Sequence, residues 1–351
     1  MVSTTRTYLK GLASGVLLAL FLAWVFPEIL PSRVSSGSGG NAASTGSTTL
    51  ERIREQGVVR IGFANEAPYA YVDSKTGKLT GEAPEIARVI LKRLGVSEVK
   101  GVLTEFGSLI PGFKANRFDI IAAGMYITPP RCGQIAFSNP TYSIGEAFVV
   151  RRGNPLKLHS YEDVAKNKNA RLGVVTGAIE RDYAIKTNIP SNRIRVLPDA
   201  PSALEAVAAG RINAYAGTSL TVNDLLRRAN NSNLERAEPF TDPVIDGESV
   251  RGYGAFGFRQ TDKALIAAFN QELEQFIGSP EHLELVKPLG FTETELPGDV
   301  TAAVAEQNTN VTVGTLGSQP APMGQRLTIP LSAQSQWAWF CAISFGWWIS
   351  R

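Results

Sequence analysis

Cysteine and histidine are almost missing from this chain: there are two of each in 351 residues. Cys132 and Cys341 stand far apart, with no second cysteine or histidine at ligand spacing, which argues against a zinc site or a metalloenzyme centre. No cofactor is expected. His159 and His282 both lie in polar surroundings and are expected at the surface, and Cys132 is expected as a buried thiol. A strong excess of one charge is also missing. The formal net charge is +3 with no basic run, so nucleic acid is not an expected partner. The apolar stretch from Leu12 to Phe26 is short for a membrane span. Behind Arg6 and Lys10 it has the n-region and h-region of an export signal. No cysteine lies nearby to carry a lipid, and no small-x-small cleavage site stands out. Residues 1–31 therefore read as a signal peptide or a retained N-terminal anchor, and 32–49 as a flexible Ser/Gly/Thr-rich tether. The body of the protein is expected in the periplasm or on the extracytoplasmic face of the membrane.

The body has an ordinary composition for a folded protein, 44% hydrophobic and 19% charged. Strand and helix patterns alternate along it. Val58 to Phe63 predicts a strand, Pro84 to Leu94 a helix closed by Gly95, Val99 to Thr104 a strand, Leu109 to Asn116 a helix and Asp119 to Gly124 a strand. The pattern restarts after Val150, with helices at Tyr161 to Lys166, Glu180 to Lys186 and Ser202 to Ala209. Strands fall at Arg171 to Val175, Ile194 to Leu197 and Ile212 to Ala216. Gly247 to Phe258 reads as a strand returning to the first half, and Asp262 to Ile277 as a strongly patterned helix. Alternation of this kind predicts an α/β fold with parallel sheets covered by helices. Two such runs predict two lobes, 50–150 plus 252–297 and 151–251, with a crevice between the carboxyl ends of their strands. The crossovers are expected near Val149 to Gly153 and Ser249 to Tyr253. Residues 298–351 read as a low-complexity linker and an aromatic tail.

The most informative run is Phe118 to Arg131, where an apolar strand leads to Gly124, Tyr126, a threonine and one arginine. Glycine lets backbone approach a ligand closely. Arg131 is a fixed fork of donors suited to a carboxylate. A small zwitterion fits such a place.

From about Leu50 to Pro297 the chain resembles the extracytoplasmic solute-binding proteins of ABC importers, in the polar-amino-acid family. The residues that carry the resemblance are Gly62, Phe63, Pro68 and Tyr69, then Gly81, Glu85, Ile86 and Ala87, then the Phe118 to Arg131 run followed by Phe137, Ser138, Pro140 and Tyr142. The resemblance implies a two-lobed periplasmic-binding-protein fold of type II with the ligand between the lobes. It implies that Arg131 holds a carboxylate and that the Gly177 to Ile179 loop offers it backbone N–H groups. The implied partners are a small zwitterionic ligand and a membrane permease, the protein itself being monomeric.

Two departures point to a subgroup. Tyr126 stands where relatives usually have Ser or Thr, and Thr218 stands where an acid usually holds an α-ammonium. Losing that acid would leave a buried ammonium unpaired, which is costly. Tyr69, Phe106 and Tyr126 form three rings, which favour a delocalised cation by about 0.5–2 kcal/mol each. In these respects the chain resembles the ectoine/hydroxyectoine-binding subgroup, although Pro130 replaces its usual Glu. In that reading Glu66 accepts from a cyclic amidinium, Tyr69, Phe106 and Tyr126 box the ring, Gly124 allows close approach and Arg131 takes the carboxylate. Thr176, Gly177 and Ile179 complete the grip, with Thr218 beside them. The plain alternatives are core aromatics at 69 and 106, a solvated Glu66 and a strand end at Thr218. At the level of function, the alternatives are a binder of another polar amino acid or a betaine-like cation, or an input domain of a sensor. An enzyme of the cyclohexadienyl-dehydratase or lytic-transglycosylase type would need an acid/base carboxylate such as Glu66 or Glu180. No second catalytic partner accompanies either, so no enzymatic activity is expected.

Overall fold

The computed structural model of the chain describes residues 48–245 and 248–308. The leader, the tether up to residue 47, the tail from residue 309 and the start of the strand expected at Gly247 lie outside them. Among the described residues no helix is long and apolar enough to cross a membrane.

The fold begins with a capping box. The Thr48 hydroxyl accepts from the Glu51 N–H and the Glu51 carboxylate accepts from the Thr48 N–H, which starts helix α1 (Thr49–Gln56). Strand β1 (Val58–Phe63) follows, then a small hairpin of β2 (Tyr71–Val72) and β3 (Leu79–Thr80). Helix α2 (Glu82–Arg93) buries Ile86, Ala87, Ile90 and Leu91 on one face, the spacing that an amphipathic helix needs against a sheet. Strand β4 (Glu98–Leu103) leads through a 3₁₀ turn at Phe106–Ser108 into α3 (Leu109–Lys114). Next come β5 (Ile120–Tyr126), α4 (Pro129–Cys132), β6 (Ala136–Phe137) and β7 (Tyr142–Ile144). Strand β1 lies parallel between β4 and β5.

The second lobe holds β8 (Glu146–Arg151), α5 (Tyr161–Lys166), β9 (Leu172–Val175), α6 (Glu180–Lys186), β10 (Ile194–Leu197), α7 (Ala200–Ala208), β11 (Ala214–Thr218), α8 (Ser219–Ala229) and β12 (Leu234–Arg236). Its sheet runs β10-β9-β11-β8-β12. A hairpin of β13 (Val244–Ile245) and β14 (Glu248–Ser249) precedes β15 (Gly252–Phe258). Strand β15 returns antiparallel to β5 and completes the first sheet, in the order β4-β1-β5-β15-β6 with β7 on β15. Helices α9 (Lys263–Phe276) and α10 (Pro280–Val286) cover that sheet. Each sheet has apolar clusters on both faces, such as Ile61, Ile90, Phe256 and Phe269 on one side of the first and Phe113, Phe118 and Met125 on the other.

Four expectations are corrected. Strand β8 pairs with β11 from Val150 opposite Ala214 to Glu146 opposite Thr218, so it belongs to the second lobe. The first crossover is therefore at Gly145, between β7 and β8, and not near Val149 to Gly153. His282 is not at the surface. It is 2% exposed, its Nδ1 accepts the Gly278 N–H at 3.1 Å, and burial pushes its pKa down to about 4. Cys132 is half-buried on α4. Finally, the start of the expected linker is part of the fold. Helix α11 (Ala302–Asn308) carries Ala305, which is fully buried with Val300 and Ala302 against the Phe113 and Phe137 cluster. The Ala302 N–H donates to Asn139 Oδ1 at 3.2 Å. Its small residues pack in a narrow space, so it lacks the large-residue periodicity that marks a helix in sequence.

Replacing Ala305 by Asp places an unpaired carboxylate in that space. The expected cost is about 2–4 kcal/mol, read as a drop of several degrees in Tm. An unchanged Tm would show that α11 is not docked.

Candidate functional site

The carboxyl ends of strands from both sheets meet at one small cavity. From the first lobe it is lined by Glu66, Tyr69, Phe106, Gly124, Tyr126 and Arg131; from the second by Val175, Ala178, Ile179, Glu180, Tyr215 and Thr218. It is contiguous, through Glu66, Phe106 and Val175, with an outer space edged by Leu103, Pro198 and Pro201.

Backbone geometry explains how the first lobe presents its groups. Gly124 has φ of 62°, and a Cβ there would come within 2.7 Å of the Tyr69 ring. This left-handed residue breaks the regular run of β5 and lets Tyr69 sit against the strand. Tyr69 stacks on Tyr142 at 5.0 Å, and Tyr126 meets Tyr142 edge-on at 6.3 Å. Tyr126 lies directly over Gly252, where a Cβ would fall 1.8 Å from the ring. Pro129 and Pro130 open α4, which carries Arg131 in its single turn.

Arg131 is bound through main chain. One nitrogen, Nη1, donates to the Tyr126 carbonyl at 2.8 Å, and Nη2 donates across the cleft to the Gly177 carbonyl at 2.9 Å. Its guanidinium lies over the Phe106 ring at 5.6 Å. Loss of solvent pulls its pKa below the ordinary arginine range.

A second set of bonds crosses the cleft. Tyr69 Oη donates to Thr218 Oγ1 at 2.8 Å, Thr218 Oγ1 donates to Thr221 Oγ1 at 3.0 Å, and Thr221 Oγ1 donates to Glu66 Oε1 at 2.9 Å. Burial raises the pKa of Glu66, and the Thr221 hydroxyl opposes the rise. Burial lifts Glu180 further, to about 7; its own backbone N–H opposes this, the charge of Glu66 adds to it and Arg131 opposes it. Glu146, in the same lobe, is raised by burial and then by Glu180. Two buried atoms at the cavity have no hydrogen-bond partner: Tyr126 Oη and Glu180 Oε2.

Eight residues singled out in the sequence line this cavity: Glu66, Tyr69, Phe106, Gly124, Tyr126, Arg131, Ile179 and Thr218. Tyr69 is also a core aromatic, 2% exposed. Thr176 is not brought there. It is exposed, and its hydroxyl donates to the Leu197 carbonyl at 3.1 Å. Gly177 borders the cleft with φ of 76°, packed on Gly107, but through its carbonyl, which Arg131 occupies. Thr218 also caps α8, accepting the Thr221 N–H. Sequence reasoning weighed Glu180 only as an acid/base group and missed Tyr215 and Thr221. A strand-end aromatic in Asn213-Ala214-Tyr215-Ala216-Gly217 is the signal that could have found Tyr215. Among the described residues no three His, Cys, Asp or Glu side chains are grouped to hold an ion.

The model of the bacterial extracellular solute-binding proteins, family 3, matches residues 59–288. The chain belongs to this family. It is 38% identical over 271 residues to a probable amino-acid ABC transporter periplasmic-binding protein of Sinorhizobium fredii, covering 77% of this chain and 87% of that one. It is 25% identical over 192 residues to the L-cystine-binding protein of Escherichia coli, covering 55% and 70%. Among solved structures it is similar to EhuB in complex with hydroxyectoine, with a TM-score of 0.64, 38% identity and coverage of 73% of this chain and 94% of that one. It is also similar to an ancestral amino acid-binding protein, a precursor of cyclohexadienyl dehydratase, with a TM-score of 0.59, 25% identity and coverage of 69% and 99%. The fold is thus the two-lobed type II binding-protein fold. This solute-binding protein serves an amino-acid-type ABC transporter, handing a small molecule to a membrane permease outside the cytoplasm, and is not an enzyme.

The raised Glu180 gives a signed expectation. A carboxyl whose folded pKa lies above its unfolded value contributes fully to stability below about 4.5, and that contribution is lost as pH rises through about 7. Glu180→Gln removes the loss, so Tm at pH 8 should rise by on the order of a few degrees and its fall between pH 5 and pH 8 should flatten. An equal pH slope in both proteins would contradict the burial of this charge.

Proposed function

We propose that the cleft captures a cyclic amidinium carboxylate of the ectoine class and releases it to the permease by hinge opening. The observation that carries this reading is the composition of one cavity: a guanidinium, two carboxyl groups and the rings of Tyr69, Phe106, Tyr126 and Tyr215. Arg131 takes the ligand carboxylate in place of one carbonyl partner, as a charge-assisted pair. Glu66 and Glu180 accept from the amidinium, and the rings face its delocalised charge. The Tyr126 hydroxyl is available to the ligand's polar edge. The similarity to EhuB, solved with hydroxyectoine, supports this reading. Closure turns about the crossovers at Gly145 and before Gly252, and excluding water strengthens each charged contact. Residues 1–31 direct export, and the protein works as a monomer.

A second reading rests on Glu180. Its carboxyl supplies an acidic partner that the Thr218 position lacks, so a primary ammonium is not left unpaired. A polar amino acid would then replace the ectoine.

Calorimetric titration of the full-length protein with ectoine, hydroxyectoine, glycine betaine, arginine and cystine decides between them. The ectoines should bind, with affinity falling about 100-fold or more in Arg131→Ala. Tight binding of an amino acid without binding of the ectoines would overturn the first reading in favour of the second.

A further inference from the structure

Thr221 sits in the first turn of α8, fully buried, and is absent from the cavity lining. We infer that Thr221 is a positioning residue that orients Glu66 in the cleft and ties the two lobes together. The hydrogen bonds run in one direction. Tyr69 gives its proton to Thr218, Thr218 gives its proton to Thr221, and Thr221 gives its proton to Glu66. Each of the three hydroxyls donates to the next group, and the run ends on a carboxylate, the strongest acceptor available. Such a one-way run is polarised along its length and loses more than one bond when its middle is removed.

Both ends of the run, Tyr69 and Glu66, lie on the loop after β1. That loop therefore grips the first turn of α8 at two points, each bond linking protein to protein. Thr218 is fixed by a further bond, accepting the Thr221 N–H at 3.2 Å. The loop is itself ordered by Glu66 and Ala70 exchanging backbone bonds at 2.8 and 2.9 Å. With Oε1 held by Thr221, the other oxygen of Glu66 is left for a ligand N–H. The remaining charged and titratable groups at the cavity are Glu180, Arg131, Tyr69, Tyr126 and Tyr215. The Thr221 hydroxyl also counteracts the upward pull of burial on the Glu66 pKa.

Thr221→Val keeps the shape and removes the donor; Thr221→Ser keeps the donor. Hydrogen exchange on the full-length proteins reads the tie between lobes. Thr221→Val should speed exchange of the amides in residues 65–72, on the opposite side of the cleft, by on the order of tenfold, and Thr221→Ser should not. Faster exchange confined to α8 would reduce Thr221 to a local helix residue and overturn the tie. Titration with ectoine across pH, which rests on the ectoine reading, tests the positioning. Thr221→Val should weaken binding on the order of tenfold to a hundredfold, and binding should fail at a higher pH on acidification because Glu66 protonates sooner. An unchanged affinity and pH profile overturn the positioning of Glu66. If the unaltered protein takes up no ectoine, the ligand reading fails, and the exchange measurement alone judges Thr221.

Discussion

A half-buried guanidinium held between two lobes, with carbonyl oxygens as its hydrogen-bond partners, is the constraint around which this cleft is arranged. Arg131 reaches the Tyr126 carbonyl in its own lobe and the Gly177 carbonyl in the other. Carbonyl dipoles satisfy N–H groups, but neither carries the full negative charge that would balance the cation. Glu180 lines the same cavity, but burial pushes its carboxyl toward the neutral form, so the cation is only partly balanced. In the proposed function a carboxylate arriving from outside completes that balance, so ligand and lobe closure favour each other. The left-handed Gly124, the strand end at Tyr126 and the single turn of α4 all serve to put this one side chain at the crevice.

The opposite charge is handled differently. Glu66 and Glu180 face the same cavity, and the charge of Glu180 also acts on buried Glu146. Packed this closely, the carboxyl groups resist ionisation together, and burial dominates each shift. A ligand cation relieves that resistance. The proposed ligand carries both signs, and rings favour a cation whose charge is spread over a flat group. Hydroxyl bonds from Tyr69 to Glu66 by way of α8 hold the walls of the cleft in register for that purpose.

Much of this was legible in the chain, because the physics that sets it is local. Alternating apolar runs and glycine stops marked most strands and helices of both lobes, and the Phe118 to Arg131 run carried both the glycine kink and the arginine that reaches the cleft. What was hidden depends on partners far away in sequence. An apolar strand such as Glu146–Arg151 does not announce which sheet it joins, and only pairing with β11 moves the crossover to Gly145. His282 looked exposed because its neighbours in sequence are polar, whereas its surroundings in space include the Phe276 ring at 5.2 Å. The resemblance to the ectoine binders implied Thr176 at the ligand, but its hydroxyl is committed to Leu197. Glu180 entered the sequence reading only as a possible acid/base carboxylate, and only folding places it in one cavity with Arg131 and Glu66.

The central claim is that Arg131 awaits a carboxylate while Glu66 and Glu180 await a cation. A crystal structure of the protein grown with ectoine tests it most directly. The account predicts the ligand carboxylate on the Arg131 guanidinium, the amidinium between Glu66 and Glu180, and the ring against Tyr69 and Tyr126. A ligand bound with its carboxylate away from Arg131, or seated outside this cavity, would contradict it.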